Sequence, residues 1–434
     1  MAHKKVLIIT YYWPPSGGSG VQRWVKFTKY LREFGWEPVI YTPSNPERPA
    51  IDRSLSEDIP KDVTVLTRPI WEPHTFYKKI VGLKKDEKLG AGLMRTGNES
   101  SLFQDLSLWI RGNLFIPDSR KFWARPSVSF LKNYLIQNPV DAIISTGPPH
   151  SMHLIAMKIS QNQSLPWLAD FRDPWTNIDF FEDLKLSEFA RKKHHKLEKK
   201  VLDSADNIVV VSPTMKKEFK EITDSDISVI PNGFDDADFS NSEYEQSSVF
   251  TISHIGMMSY TRNPEILWET LAELNNSEKD FKNEFKLQLI GKMDAAIRES
   301  IKKYDIEELV EIHDYVPHNE ITTIQQKSDA LLLIVNNTPN AALLLPGKLF
   351  EYLAAKRPII CISPVIGDIK QVMDETNSGS FILYSEKQKL KAEIMRLYSN
   401  WKNGISSYSG AKAEKYSRKS LTKKLSEELN DLTL

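Results

Sequence analysis

Residues 344–360 read Leu-Leu-Pro-Gly-Lys-Leu-Phe-Glu-Tyr-Leu-Ala-Ala-Lys-Arg-Pro-Ile-Ile, and this stretch holds the side chains best placed for chemistry. Pro346 and Gly347 open a helix, with Pro346 suited to the first helical position because its missing N–H would have no partner there. The free N–H groups of a helix start, with the helix dipole behind them, attract a phosphate. Lys348 and Glu351 lie three residues apart and so share a face. An ammonium that neutralises a pyrophosphate, with a carboxylate one turn deeper to accept from ribose hydroxyls, would suit a nucleotide sugar. The alternative is an ordinary amphipathic helix carrying two solvated charges.

Two further loops concentrate chemistry. Leu168-Ala169-Asp170-Phe171-Arg172-Asp173-Pro174-Trp175 ends a strand with three charges. Charges at the carboxyl end of a buried strand are costly unless paired or used. Asp170 or Asp173 would orient or deprotonate an acceptor hydroxyl, and Arg172 would bind an anion; the competing reading is a salt bridge that shapes the loop. Ser145–His153 is also a strand-end loop, stiffened by Pro148 and Pro149, with Gly147 allowing close backbone approach. His150 and His153 are its candidates for a sugar contact, against the blander role of packed histidines.

The elements that must position these groups alternate. Val6–Thr10 reads as a buried strand, Val21–Phe34 as a helix stopped by Gly35, and Pro38–Thr42 as the next strand. Gly17, Gly18 and Gly20 then fall at the carboxyl end of the first strand, where such sheets bind ligands. Ala142–Ser145, Trp167–Asp170 and Asn207–Val211 continue the pattern. A second alternation follows with strands at Phe250–Gly256, Phe285–Ile290, Val310–His313, Ala330–Val335 and Ile359–Ser363. The expected fold class is α/β, with two facing doubly wound Rossmann-like domains and an interdomain cleft. The expected division is 1–235, a polar linker at 236–248, a second domain at 249–400, and a helical tail at 401–434 that returns to the first domain. Residues 70–135 interrupt the alternation with many aromatics, among them Trp71, Phe76, Tyr77, Trp109, Phe122 and Trp123. They read either as extra helices packed on the first sheet or as a lid or apolar acceptor surface.

Bulk properties narrow the class. A chain of 434 residues is too long for one ordinary core. Lys plus Arg and Asp plus Glu are 57 each, which argues against a general nucleic-acid binder. The single cysteine, Cys361, lies in an apolar run and excludes an intramolecular disulfide framework. No apolar run approaches the roughly 18 residues of a membrane span, and the amino-terminal apolar run is too short for a signal peptide. The reading is a soluble cytoplasmic protein, with peripheral contact at the inner membrane face as an alternative. Asp224-Ser225-Asp226 reads as a turn, so neither a metal site nor a cofactor is expected.

The 344–360 stretch resembles the donor-site motif of retaining glycosyltransferases of family 4, which have the GT-B fold. Tyr11–Gly20 resembles the family's first glycine-rich loop, and Ile230–Asp235 the close of its first domain. His254-Ile255-Gly256 with Arg262-Asn263-Pro264 resembles its second glycine loop and phosphate-binding cation. The resemblance implies donor phosphates at Gly17, Gly18, Arg262 and Lys348, ribose at Glu351, and the donor sugar near Leu344, Leu345, Pro346 and Gly347. It puts Gly256, Lys292, Tyr315 and Val316 in the base-side wall. It implies transfer from a UDP- or GDP-sugar to a glycan or lipid-linked acceptor, with retention, in bacterial polysaccharide, lipopolysaccharide or exopolysaccharide assembly. Two departures stand out. Leu343 occupies the position, eight residues before Glu351, where many members carry a second glutamate. A histidine common near position 146 is Thr146 here, with His150 and His153 just beyond. A sugar-nucleotide epimerase of the same architecture and an inactive nucleotide-sugar binder are the alternatives.

Overall fold

The computed structural model describes residues 3–48, 51–72, 102–178, 181–239, 246–314, 316, 318–408, 410 and 412–434. The chain divides into two compact units, residues 1–231 with 419–434, and residues 232–418.

Unit 1 runs β1 (Lys4–Ile9), α1 (Ser19–Leu31), β2 (Trp36–Pro43), β3 (Thr64–Arg68), α2 (Leu102–Leu114), α3 (Lys121–Gln137), β4 (Ala142–Gly147), α4 (Ser151–Gln163), β5 (Trp167–Phe171), α5 (Glu188–Ser204), β6 (Asn207–Val210), α6 (Pro213–Lys220) and β7 (Ile227–Val229). Among the described residues these strands form one seven-stranded sheet in the order β3-β2-β1-β4-β5-β6-β7. Every pairing in it is parallel, with Val6 opposite both Pro38 and Ala142. Strands covered on both faces must be apolar throughout, and Val6-Leu7-Ile8-Ile9 is fully buried. The order reverses between β1 and β4. In such sheets the crevice outside the carboxyl ends at that point receives the ligand.

Unit 2 runs β8 (Phe250–Ile255), α7 (Glu265–Ser277), α8 (Phe281–Glu284), β9 (Phe285–Ile290), α9 (Ala295–Lys303), β10 (Val310–His313), α10 (His318–Lys327), β11 (Ala330–Ile334), α11 (Gly347–Ala355), β12 (Ile359–Ser363), α12 (Asp368–Thr376), β13 (Gly379–Leu383) and α13 (Lys387–Lys402). Its described strands form a six-stranded parallel sheet, β10-β9-β8-β11-β12-β13, whose order reverses between β8 and β11. The last helix, α14 (Arg418–Leu432), joins unit 1: Leu421, Leu425 and Leu429 pack with Val6, Trp24 and Trp36.

The boundaries differ from the expected ones. Phe234 packs with Ile255, Leu349 and Phe350, so unit 2 begins before position 235. Trp401 packs on Phe250 and Tyr398, which keeps the first part of the expected tail in unit 2. Residues 240–245 of the expected linker lie outside the described residues. The edge strands β3, β7 and β13 carry weaker apolar patterns and were not expected. Within 70–135, helix packing accounts for Trp123, which stacks on Tyr41 at 4.8 Å. Trp71, Trp109 and Phe122 stay exposed, and Phe76 and Tyr77 lie outside the described residues. No described helix is long and apolar enough to cross a membrane.

Candidate active site

In unit 2 the candidate groups gather at the reversal between β8 and β11. β8 is followed by Gly256, whose φ of +121° is left-handed space that favours glycine. A Cβ there would lie 1.9 Å from Lys348 Nζ, so the absence of a side chain is what seats the ammonium over the backbone. Lys348 comes from α11, which follows β11. Burial and then the neighbouring Arg262 pull its amine down to about 8, with Glu351 acting in the opposite sense. Among the described residues Lys348 has no hydrogen-bond or ion-pair partner. An ammonium held half-buried beside a second cation is unfavourable for the protein alone and becomes favourable once an anion enters.

Arg262 lies on the turn between β8 and α7. Its Nε donates to Asn336 Oδ1 and its Nη1 to the Met257 carbonyl at 2.9 Å, which fixes the guanidinium at the same strand ends. His254 donates Nδ1–H to the Leu332 carbonyl at 2.9 Å, so its buried Nε2 is a bare acceptor with no partner among the described residues. Burial, and then Lys348, push His254 down to about 3, so it is neutral in the working range. Tyr352 Oη receives the Ile255 N–H at 3.1 Å and ties α11 to β8.

Glu351 is on the same helix as Lys348, yet no ion pair joins them; its described contact is a 3.3 Å hydrogen bond from Gln325 Nε2. The helix begins at Gly347, and Pro346 is the extended cap residue before it, one position earlier than expected. Leu344, Pro346 and Gly347 are partly exposed, while Leu345 is buried. Leu343 is buried in a short turn, so the apolar residue at the departing position faces the protein interior. Lys292 is exposed, with its carbonyl accepting from the Met258 N–H. Val316 packs on the unit 2 core, and Tyr315 lies outside the described residues.

Unit 1 treats its strand-end charges differently. Asp170 is 1% exposed. Its oxygens accept from Arg23 Nη2 at 2.8 Å, Trp24 Nε1 at 2.9 Å and Thr146 Oγ1 at 2.8 Å. Arg23, itself fully buried, also donates to the carbonyls of Ile230 and Pro231. Asp170 is thus occupied in joining α1, β4 and β5 to the end of unit 1. The expectation that it deprotonates an acceptor finds no support in this geometry, because no open oxygen faces outward. Arg23 was not singled out by sequence: it is 147 positions from Asp170, and only the fold brings them together.

Arg172 instead donates through Nη2 to the Pro148 carbonyl, and its Nη1 lies 1.4 Å from where a Cβ on Gly20 would stand. Asp173 is exposed. His150 stacks on Trp175 at 4.7 Å, and His153 Nδ1 meets Ser145 Oγ at 2.8 Å. Burial lowers both histidines, His153 to about 3. Gly17 and Gly18 form the loop before α1, with Gly18 at a φ of +113°. The structure therefore brings His150 and His153 together at Gly147 and Arg172 onto Gly20 in unit 1, and Gly256, Arg262, Lys348 and Glu351 together in unit 2.

Residues 96–238 match the model of Glycosyltransferase Family 4, and residues 249–400 that of Glycosyl transferases group 1. No curated protein matches the sequence. Among solved structures, Alr3699/HepE of Anabaena in complex with UDP is 14% identical, with a TM-score of 0.63 over 98% of this chain and 100% of that one. A mutant TarM of S. aureus, in complex with UDP, fondaparinux and alpha-GlcNAc-glycerol, is 13% identical, with a TM-score of 0.62 over 98% and 100%. WaaG, described as a glycosyltransferase involved in lipopolysaccharide biosynthesis, is 12% identical, with a TM-score of 0.57 over 98% and 99%. With a glycosyltransferase model matched on each of two Rossmann-like units, in the order and on the fold of those enzymes, the chain belongs to the GT-B glycosyltransferases of the family 4, group 1 kind.

Proposed function

We propose that this protein transfers a sugar, with retention, from a UDP- or GDP-sugar to a hydroxyl of a glycan or lipid-linked acceptor in polysaccharide, lipopolysaccharide or exopolysaccharide assembly. The observation that carries the reading is Lys348: an ammonium with no partner among the described residues, seated over Gly256 beside Arg262, at the reversal point of unit 2. Two cations there meet the charge that builds on the leaving diphosphate as the anomeric bond breaks. The bond from C1 to the phosphate oxygen breaks, the bond from the acceptor oxygen to C1 forms, and the acceptor's proton leaves with the diphosphate. Glu351 accepts from the ribose, Gly256 lets the phosphates approach the backbone, and the cap of α11 at Leu344–Gly347 borders the sugar. Retention is supported by the resemblance to family 4, and the assembly role by the likeness to WaaG.

Calorimetric titration of UDP, GDP, ADP, CMP and dTDP tests the donor site. One diphosphate should bind clearly more tightly than the others, and Arg262→Ala and Glu351→Ala should each weaken it by about tenfold or more, the scale of a lost charge-assisted hydrogen bond. Binding that is indifferent to both substitutions would remove the basis for the reading.

A further inference from the structure

Unit 1 carries a surface that neither its scaffold nor sugar transfer uses. It is built from aromatics of the stretch that interrupts the alternation and from the start of α5. Trp71 meets Phe122 edge to face at 5.1 Å, and Phe122 meets Phe115 in the same way at 6.0 Å. Trp71 is 60% exposed, and Phe122 and Leu114 are exposed as well. Rings that touch one another while open to water form an apolar cluster outside the core, and such clusters mark contact surfaces.

Basic groups border these rings. Lys121 donates to the Leu114 carbonyl at 2.5 Å, and its ammonium lies 5.3 Å from the Phe122 ring and 5.8 Å from that of Phe115. Asn113 accepts from the Ser187 N–H at 2.8 Å, which sets the end of α2 against the start of α5. There Phe189 is 75% exposed, with the Lys193 ammonium 5.9 Å from its ring. Helical spacing puts Phe189, Lys193, Lys196 and Lys200 on one face of α5, away from the buried Ala190, His194, Val201 and Leu202.

The charges on this face have one sign. Lys192, Lys193, Lys196 and Lys200 are exposed and have no ion pair among the described residues. From Phe189 to Lys200 the one acid is Glu198, which is buried and accepts from the Thr176 N–H at 3.2 Å. Glu182, before the helix, is taken by the two Nη atoms of Arg191 at 2.6 and 2.7 Å. Burial, and then Lys193, lower the Lys121 amine, so anions laid over this face would favour its charged form. An apolar protein groove would leave the lysines unmet, and an acidic one would leave the rings unmet. A bilayer surface meets both, with rings at the boundary of headgroups and acyl chains and lysines on the lipid phosphates.

We propose that this face of unit 1 docks on an anionic lipid bilayer. Trp71, Phe122 and Phe189 enter the interface, and Lys121, Lys193 and Lys196 hold the headgroups. None of these residues belongs to the donor site, so docking and sugar transfer can fail separately.

Cosedimentation of the full-length chain with vesicles tests the docking, using phosphatidylcholine alone and phosphatidylcholine mixed in equal parts with phosphatidylglycerol. The chain should pellet with the mixed vesicles, far less with the neutral ones, and progressively less as salt is raised. Lys192→Gln, Lys193→Gln and Lys196→Gln together should weaken partition by about 100-fold, at about fivefold per lysine. Trp71→Ser with Phe122→Ser should weaken it by about tenfold or more. In both sets nucleoside diphosphate affinity should stay within about twofold, as for distant independent sites, and thermal melting establishes that each variant is folded. Equal pelleting with neutral vesicles, pelleting that survives both sets of substitutions, or a chain left in the supernatant throughout would overturn the proposal. So would a lipid-free dimer that Phe122→Ser converts to a monomer, which would make this face a contact between copies of the chain.

Discussion

The two units solve one topological problem in opposite ways. Each sheet reverses its order once, β1 against β4 and β8 against β11, and each places charged side chains at the carboxyl ends there. Unit 1 neutralises its central carboxylate inside the protein: Asp170 is enclosed by Arg23, Trp24 and Thr146. Unit 2 leaves Lys348 without a hydrogen-bond or ion-pair partner among the described residues and sets Arg262 beside it. Enclosure serves the scaffold, because a buried charge met on every side holds its neighbours in place. Exposure serves a ligand, because an unmet charge favours whatever brings the opposite sign. A charge at a strand end thus has no single meaning until its partners are known.

The largest test of that contrast is Arg23→Met. Removing one member of a buried, hydrogen-bonded pair should cost about 3–5 kcal/mol in a urea unfolding experiment. Arg23→Met combined with Asp170→Leu should recover a large part of the loss. A cost under about 1 kcal/mol, the value of a surface pair, would show that the pair is no scaffold.

Next in size is a pair of glycine substitutions. Gly256→Ala adds a Cβ onto Lys348 Nζ and forces a left-handed φ on alanine. Nucleotide affinity should fall by about 10–100-fold, as when a charged hydrogen-bonding group is displaced. Gly20→Ala meets Arg172 instead, and should leave nucleotide affinity unchanged. Equal losses in both would erase the division of labour between the units.

The smallest effect is a pH dependence. Lys348 titrates near 8 in the folded chain against about 10.4 for an ordinary lysine. Below pH 8 the group is protonated in both the folded and unfolded states, and the folded state bears the unfavourable buried charge. Between about pH 8 and 10.4 the unfolded chain binds more protons, so this group's contribution to stability rises with pH. Nucleotide affinity should move the other way, falling as pH climbs through 8, in a range where the diphosphate is already fully ionised. Lys348→Met should flatten both trends. A wild-type affinity that is flat from pH 7 to 9 would show that the ammonium does not meet the phosphates.

Much of this arrangement could be read in the chain. Short continuous apolar runs marked the central strands and period-3.6 patterns their helices, because strands buried on both faces leave little room for polar residues. The Pro-Gly-Lys-x-x-Glu spacing marked the start of α11, since capping and helical repeat are local. The edge strands β3, β7 and β13 were missed because half-exposed strands lack a continuous apolar signature. Asp170 was misjudged for a different reason: the residue that encloses it is far away in sequence, on α1.

The sequence by itself determined the two α/β alternations, the glycine loops at the ends of β1 and β8, and the Lys348–Glu351 face, all properties of a few neighbouring residues. Only the tertiary structure decided which charges are satisfied. It put Arg23 on Asp170, left Lys348 over Gly256, and turned His150 and His153 toward Gly147 and Arg172 toward Gly20. Partnership between charges is set by distance in space. Parallel crossovers bring together residues that the chain keeps more than a hundred positions apart, and no local pattern records that pairing.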